Sequence, residues 1–306
     1  MKIAIVGSGA LGLYYGALLQ RGGHEVHFLL RSDYDAIMSN GLTVHSVNGD
    51  FYVPSVSGHK TSDTIGVVDL VVVGLKTFAN NYMQNLIQPL IAADTQILTL
   101  QNGLGNEELL ADLFGPERVL GGVAFLCSNR GEPGHVHHLG AGRIIIGGYQ
   151  QFDTMRLKRI ASVFSSSGVE CTTTDDLKKT RWEKLVWNIP FNGLCALLQQ
   201  TVDQLLMAPG CRKLVRDLMI EVITAANAQN LNEAISENYA DRMLEFTDGM
   251  GVYKPSMQVD REEGRELETQ AIFRIPLEYG RQQMVSMPRT EMLVVLLEQG
   301  KSILPT

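Results

Sequence analysis

The sequence predicts an α/β protein with an N-terminal Rossmann-type doubly wound sheet and a C-terminal all-α domain. Short β-branched runs alternate with helical stretches up to about residue 175, and glycines mark the first strand-to-helix turn. No convincing strand pattern follows residue 175. Strands that alternate with helices form parallel sheets through right-handed crossovers. We therefore predict two domains, residues 1–175 and 176–306.

The elements of the first domain follow from apolar runs and the residues that interrupt them. The predicted strands are Lys2–Val6, His24–Leu30, Val67–Val73, Gln96–Leu100 and Val169–Thr173, and the predicted helices are Ala10–Gln20, Phe78–Ala92 and Phe152–Ser165. Nearly continuous apolar strands are typical of a sheet that is buried on both faces. Val119–Cys127 and His135–Gly147 flank a turn-rich stretch, which predicts an antiparallel addition to the sheet.

Charge and composition narrow the classes of partner. A net charge of -7 argues against nucleic acid or an anionic membrane as the main partner, since both require a basic face.

No apolar stretch approaches the roughly 20 residues of a membrane span, and the four scattered cysteines are typical of a protein whose thiols stay reduced. We therefore expect a cytoplasmic protein. His135, His137 and His138 lack cysteine or acidic partners at metal-site spacing, so no metal is predicted.

A GxGxxG motif directly follows the first predicted strand and opens the first predicted helix. It consists of Gly7, Ser8, Gly9, Ala10, Leu11 and Gly12. In a dinucleotide-binding turn the first glycine allows the tight bend, the second lets the backbone approach a pyrophosphate, and the third permits close packing of helix on strand. The pyrophosphate would lie against the N–H groups of the helix start.

The end of the second predicted strand favours NADPH (or NADP) over NAD. NAD enzymes of this fold usually place an Asp or Glu about 20 residues beyond the glycines to bind the ribose 2′-hydroxyl. Here Arg31 and Ser32 stand at that strand end. A guanidinium beside a hydroxyl suits a 2′-phosphate. Asp33 and Asp35 lie just beyond, so an NAD role for them stays open.

Two further strand ends carry polar side chains. Lys76 follows the Val67–Val73 run and Asn102 follows the Gln96–Leu100 run. Ligands of open α/β sheets lie beyond the carboxyl ends of the strands. We expect Lys76 to reach the phosphate or ribose of the nucleotide and Asn102 to lie on the nicotinamide side.

In the second half, Lys184, Asn188 and Asn192 recur every four residues. This spacing places them near one face of a helix. Their apolar neighbours, among them Trp187 and Phe191, demand burial on several sides, so the polar stripe is suited to hold a small polar ligand.

These motifs together resemble the ketopantoate reductase (2-dehydropantoate 2-reductase) family over nearly the whole chain. The resembling residues are, in chain order, the GxGxxG of residues 7–12, Arg31, Lys76-Thr77, Gln101-Asn102-Gly103, the stretch Arg181–Asn192, Lys254-Pro255-Ser256-Met257, Asp260, Gly264, Arg265 and Glu268.

The resemblance implies an NADPH-dependent reduction of ketopantoate to pantoate. It implies that Lys184 is the general acid and that Glu268 lies near it, holds its charge and contacts the cofactor. It assigns the substrate to four residues: Asn102, Asn188, Asn192 and Ser256. It is also compatible with a homodimer.

Two positions depart from the family pattern and keep alternatives open. Many members carry asparagine where this chain has Tyr253, and an amide where it has Val202. Both are substrate-side positions, so reduction of a different 2-oxo acid is the first alternative. The second is a non-catalytic NADP(H)-binding sensor, which would need only the motifs of the first domain.

Overall fold

The computed structural model describes residues 1–150 and 152–300, which form two compact units. The first unit comprises Met1–Gln101 and Asn106–Leu177, and the second comprises Asn102–Gly105 and the chain from Lys178 onward. Each unit has its own buried apolar core. A Rossmann-type sheet followed by a helical domain was predicted, and this fold class is confirmed.

The described part of the first unit contains a ten-stranded sheet. Its strands are β1 (Lys2–Val6), β2 (Glu25–Leu29), β3 (Leu42–Ser46), β4 (Phe51–Val53), β5 (Ser57–His59), β6 (Leu70–Val73), β7 (Gln96–Thr99), β8 (Val119–Arg130), β9 (His135–Gly148) and β10 (Cys171–Thr173). The strand order is β4-β3-β9-β8-β7-β6-β1-β2-β5, and β10 pairs with β9. Six neighbouring strands of the sheet run parallel, in the order β5-β2-β1-β6-β7-β8. Strand β9 is antiparallel to β8, as predicted for the hairpin that extends the sheet.

Three strands between residues 42 and 59 are absent from the sequence prediction. Each of them is only three to five residues long, and Ser57–His59 contains no apolar side chain. The pairing of β3 with β9 joins residues about 90 positions apart, such as Val44 and Val136. Tertiary contacts of this kind leave no local signal in the sequence.

The described part of the first unit also contains five α-helices. They are α1 (Ala10–Arg21), α2 (Tyr34–Asn40), α3 (Met83–Ile87), α4 (Asn106–Phe114) and α5 (Thr154–Ser166). The helical stretch predicted over residues 78–92 is helical in the structure but is not one regular α-helix, because 3₁₀ turns, Thr77–Tyr82 and Gln88–Leu90, flank the short α3. Pro89 lacks the N–H that a continuing helix needs, and asparagines are weak helix formers.

Helix α1 is enclosed by the sheet. Strand β8 continues from Gly121, which pairs with the end of β7, to Arg130, so the β8–β9 hairpin extends well past the carboxyl edge of the central strands. The ring of Tyr14 stacks on His138 of β9 with 4.5 Å between centroids. The Tyr15 hydroxyl donates to the carbonyl oxygen of Gly142 at 3.3 Å, and burial raises the pKa of this phenol. The hairpin thus fixes α1 from the side opposite β1.

The described residues of the second unit form helices joined by loops and contain no strand. Its helices are α6 (Leu177–Leu198), α7 (Val202–Met207), α8 (Cys211–Asn227), α9 (Asn238–Asp248), α10 (Ser256–Glu262), α11 (Ile275–Gln282) and α12 (Pro288–Gln299), and a π-helix, Gln270–Arg274, precedes α11. Trp182, Phe191 and Phe273 are fully buried in its core. Within the described ranges, no helix combines the length and apolar character needed to cross a membrane.

A buried carboxylate fixes the start of α12. Glu221 on α8 accepts hydrogen bonds from the backbone N–H groups of Arg289 and Thr290, both at 3.0 Å, and from their side chains at 3.1 and 3.0 Å. These backbone groups belong to the first turn of α12, where helices leave N–H donors without an internal partner. A negative charge at this end is also favoured by the helix dipole.

We expect Glu221→Ala to lower the free energy of unfolding by about 2–4 kcal/mol, because it leaves buried donors unsatisfied. Urea denaturation followed by circular dichroism measures the change. The control is Lys213→Ala on the same helix, since its pair with Asp217 is exposed and should be worth less than about 0.5 kcal/mol. Equal stability of the two variants would contradict a structural role for Glu221.

Candidate active site

The glycine turn after β1 combines two crowded positions with one open position. Gly7 has φ +104°, and a Cβ there would lie 2.3 Å from the backbone nitrogen of Leu75. A Cβ at Gly12 would lie 2.2 Å from the carbonyl oxygen of Gly7. At Gly9 a Cβ would meet nothing within 4 Å. Gly7 and Gly12 are therefore required for packing, whereas Gly9 opens onto free space.

That free space adjoins the N-terminus of α1. Gly9 is the N-cap of this helix and supplies no side-chain hydrogen bond to its first turn, which begins at Ala10. The Ser8 hydroxyl donates to the carbonyl oxygen of Leu29 at 2.9 Å and so ties the turn to the end of β2, while Leu11 packs against the first unit's core. Uncapped N–H groups beside open space fit a pyrophosphate, so these residues are compatible with a dinucleotide.

The end of β2 presents a cation and a hydroxyl to solvent. Arg31 and Ser32 are both exposed, as a 2′-phosphate site requires. Asp33 is buried, and its carboxylate pairs with Arg130 from the end of β8. Asp35 is exposed and lies 3.4 Å from Lys60. The buried carboxylate of Asp33 is therefore already engaged in an ion pair within the chain.

The ends of β6 and β7 are joined by a polar network. Gln101 donates to Asn80 at 2.8 Å and accepts from the Thr99 hydroxyl at 3.1 Å, and Asn80 donates to Asn106 at 3.0 Å. Lys76 is the N-cap of the 3₁₀ turn that carries Asn80. The network therefore holds the 3₁₀ turn that follows Lys76 and the residues on both sides of Asn102.

Asn102 itself groups with the helical unit. The Asn102–Gly105 loop packs on the π-helix, where Leu104 donates to the carbonyl oxygen of Ala271 at 3.0 Å. Gly103 has φ +84°, and a Cβ there would lie 2.4 Å from that same oxygen. In this position Asn102 accepts a 2.6 Å hydrogen bond from the ammonium of Lys184 on α6. The structure thus brings together two residues that are 82 positions apart in sequence.

The other residues of the polar stripe on α6 are buried. Asn188 is 4% exposed, and within residues 1–150 and 152–300 its side-chain nitrogen has no hydrogen-bond partner. Asn192 accepts from the Ser256 hydroxyl at 3.4 Å and from the backbone N–H of Met257 at 3.2 Å. A buried amide donor without a partner is costly, which indicates that Asn188 Nδ2 is available to a ligand.

Ser256 and Glu268 lie on either side of the turn at Gly264. Ser256 is the first residue of α10, and its hydroxyl points to Asn192. Glu268 is 3% exposed and lies two residues before the π-helix, and its carbonyl oxygen accepts a hydrogen bond from the backbone N–H of Ile272. Single-turn π-helices are rare and occur frequently at functional sites.

The two departures from the family pattern are neighbours in space. The backbone N–H of Val202 donates to the carbonyl oxygen of Tyr253 at 3.0 Å. The Tyr253 ring lies 6.3 Å from that of Trp187, which in turn stacks on Phe191 at 4.9 Å. The Tyr253 ring therefore lies next to the stacked aromatic pair of Trp187 and Phe191 on α6.

The histidines of β3 and β9 bond to one another and to nearby polar groups. His45 lies 3.1 Å from His135 and 3.0 Å from Asp50. Both ring nitrogens of His138 are engaged, with the Ser46 hydroxyl and the carbonyl oxygen of Ala141. The described residues contain no group of three His, Cys, Asp or Glu side chains arranged to hold a metal.

The contact of Arg130 with the end of β2 and the presence of the π-helix were not predicted from the sequence. Arg130 reaches Ser32 across 98 positions, and its neighbours in the chain are turn residues that carry no nucleotide-binding motif. The π-helix depends on packing against the loop after β7, so local composition gives no signal for it.

A glycine turn that opens a helix at the edge of a parallel sheet, followed by an all-helical unit, is the architecture of two-domain dinucleotide-binding oxidoreductases. Residues 3–151 match the family model described as "Ketopantoate reductase PanE/ApbA", and residues 176–301 match its C-terminal model. The chain belongs to the ketopantoate reductase family.

Individual relatives agree with this assignment. The chain is 40% identical to a 2-dehydropantoate 2-reductase of Nostoc sp. over 95% of its own length and 92% of the relative's. It is 65% identical to the crystal structure of 2-dehydropantoate 2-reductase from Geobacter metallireducens, with a TM-score of 0.97 and coverage of 98% and 100%. D-mandelate dehydrogenase with NADH has a TM-score of 0.92 at 24% identity and 99% coverage of both chains, a likeness of fold alone.

Two glycine variants separate packing from ligand access. We expect Gly12→Ala to lower stability by about 1–3 kcal/mol, because its methyl group meets the Gly7 carbonyl. Gly9→Ala should leave stability within about 1 kcal/mol but weaken NADPH binding at least about tenfold, because its methyl group enters the space that a pyrophosphate needs. Denaturation curves and NADPH fluorescence titrations measure both effects. Unchanged NADPH affinity in Gly9→Ala would contradict this placement of the pyrophosphate.

Proposed function

We propose that the protein is an NADPH-dependent 2-dehydropantoate 2-reductase, which reduces ketopantoate to pantoate on the route to pantothenate and coenzyme A. The observation that carries the proposal is the bond from the Lys184 ammonium to Asn102, on the same helix as Asn188, whose buried side-chain nitrogen has no hydrogen-bond partner among the described residues. A cation and an amide donor on one helix are what a 2-oxo acid, with its carbonyl and carboxylate oxygens, requires.

The cofactor residues supply binding and orientation. The open space at Gly9 and the first turn of α1 would receive the pyrophosphate, and Arg31 with Ser32 would receive the 2′-phosphate. Lys76 would contact the nucleotide from the end of β6, and Asn102 and Glu268 would contact its nicotinamide end. When bound, NADPH supplies the hydride for the substrate's C2 carbon.

Lys184 is the proposed general acid. Its ammonium donates a proton to the ketone oxygen as charge develops there, which leaves a neutral amine that is protonated again from solvent. The bond to Asn102 orients the ammonium through one of its three donors. Glu268, buried on the segment before the π-helix, is proposed to favour the charged form of the lysine by its own negative charge.

The remaining polar residues are proposed to hold the substrate. Asn188 Nδ2 is a donor for a substrate oxygen. The Ser256 hydroxyl, whose one proton points to Asn192 at 3.4 Å in the structure, would turn that proton to the substrate carboxylate on binding. Asn192 also accepts from the backbone N–H of Met257, which holds the start of α10, and with it Ser256, in place.

A different 2-oxo acid is the second candidate substrate. The observation that favours it is the hydrogen-bonded pair of Val202 and Tyr253 beside Trp187, where valine and tyrosine replace two amides of the family pattern.

We propose that the protein is located in the cytoplasm and that it assembles as a homodimer. Light scattering of the purified protein tests the assembly.

The decisive assay follows NADPH oxidation with ketopantoate and identifies the product by mass spectrometry. We expect stoichiometric pantoate and a kcat/KM for ketopantoate at least about tenfold above that for 2-oxoisovalerate or an aryl 2-oxo acid, the margin given by one good polar contact. A clear preference for the aryl acid would establish the second candidate. Binding of NADPH without turnover of any 2-oxo acid would favour the sensor.

We expect Lys184→Ala to lower kcat by about 10²–10⁴-fold, the range for loss of a general acid, and to leave NADPH affinity nearly unchanged. Lys178→Ala is the matched control, because this lysine lies on the same helix and its ammonium bonds to the backbone of Gln229 near the surface. A near-normal kcat in Lys184→Ala would remove this residue from the mechanism.

A further inference from the structure

Asp33 presents a problem for a 2′-phosphate site. It follows directly after Arg31 and Ser32, near the position where NAD enzymes of this fold carry an acid for the ribose. Its carboxylate is 3% exposed and forms no hydrogen bond with the first turn of α2, whose N-cap it is. An uncompensated negative charge here would repel a phosphate.

Arg130 compensates this charge. Its Nη2 atom pairs with the Asp33 carboxylate and donates to the Ser32 hydroxyl at 3.1 Å. The other Asp33 oxygen is buried and has no partner in the described parts of the chain. Arg130, almost 100 positions further along the chain at the end of β8, therefore bonds to both Ser32 and Asp33.

The geometry leaves Arg130 able to bind a further acceptor. Both contacts run through Nη2, and 41% of the side chain is exposed. A guanidinium has five N–H donors in a planar fork, which suits a phosphate. Ser32 thus follows one arginine, Arg31, in the chain and accepts a hydrogen bond from a second, Arg130.

We propose that Arg130 is a specificity-determining residue for the phosphorylated nucleotide. It neutralises Asp33, which would otherwise favour a ribose 2′-hydroxyl, and it supplies the second guanidinium of the 2′-phosphate site. The proposal rests on the proposed use of NADPH and deepens it, because it explains how an acid is tolerated at this strand end.

The test uses adenosine 2′,5′-diphosphate and 5′-AMP as probes, so that their affinity ratio isolates the 2′-phosphate without any turnover. Calorimetry is carried out on the wild type, Arg130→Met, Asp33→Asn and the double variant. We expect Arg130→Met to lower the ratio about 10- to 100-fold, the equivalent of one or two charge-assisted hydrogen bonds. Asp33→Asn should keep the ratio at or above that of the wild type.

The double variant separates specificity from folding. Arg130→Met leaves a buried carboxylate unpaired and is destabilised for that reason, whereas the double variant carries no such charge. We expect it to regain part of the ratio, since repulsion is gone but one guanidinium is missing. Arg143→Met, an exposed arginine of the same hairpin that lies over the Phe125 ring, is the matched control and should leave the ratio unchanged.

The outcomes distinguish this proposal from the function proposed above. Equal weakening of both probes by Arg130→Met, or no change, would overturn the role of Arg130 while leaving an NADPH-dependent reductase intact. A different result would overturn the proposed function and support the role of Arg130. In that result the wild type fails to reduce ketopantoate, and the Arg130→Met variant loses the preference for the 2′-phosphate probe that the wild type shows. A wild type with no preference for the 2′-phosphate would overturn the nucleotide assignment and this proposal with it.

Discussion

Helix α1 lies so close to β1 that no side chain fits between them at Gly12. A Cβ at Gly12 or Gly16 would collide with the Gly7 carbonyl oxygen or the Phe28 ring, at 2.2 and 2.3 Å. Close-packed interiors cannot absorb such overlap without moving an element. The position of the helix start, and therefore of its free N–H groups, follows from this contact. The β8–β9 hairpin closes the opposite side through Tyr14 and His138, and its far end carries Arg130 to the end of β2.

In the helical unit the equivalent constraint is a polar stripe of one half-buried lysine and two buried asparagines. Helix α6 carries Lys184, Asn188 and Asn192 among fully buried apolar side chains, so each polar group needs a partner or a ligand. Lys184 finds Asn102, and Asn192 finds Ser256 and the Met257 backbone. Asn188 retains an unmatched donor within the described residues. A stripe with one unmatched donor is poorly suited to stabilise the fold but well suited to orient a small anion.

Much of this organisation could be predicted from local sequence. The parallel strands are continuous apolar runs, the glycine turn follows a strand, and the spacing of Lys184, Asn188 and Asn192 gives their common helix face. Other features depend on distant partners. Strand β3 forms against β9, the π-helix forms against the Asn102–Gly105 loop, and Arg130 meets Asp33 only because the hairpin curves back over α1. Asp33 is an example of what the sequence alone could not decide, because its position after β2 was also compatible with binding the ribose of NAD.

We propose that these residues bind a phosphorylated nicotinamide nucleotide and a 2-oxo acid for reduction. A crystal structure of the protein with NADP⁺ and pantoate tests it most directly. We expect the pantoate hydroxyl within hydrogen-bond distance of Lys184 Nζ, a substrate oxygen on Asn188 Nδ2, and the 2′-phosphate between Arg31 and Arg130. Pantoate bound away from Lys184, or a 2′-phosphate that contacts neither arginine, would contradict the claim.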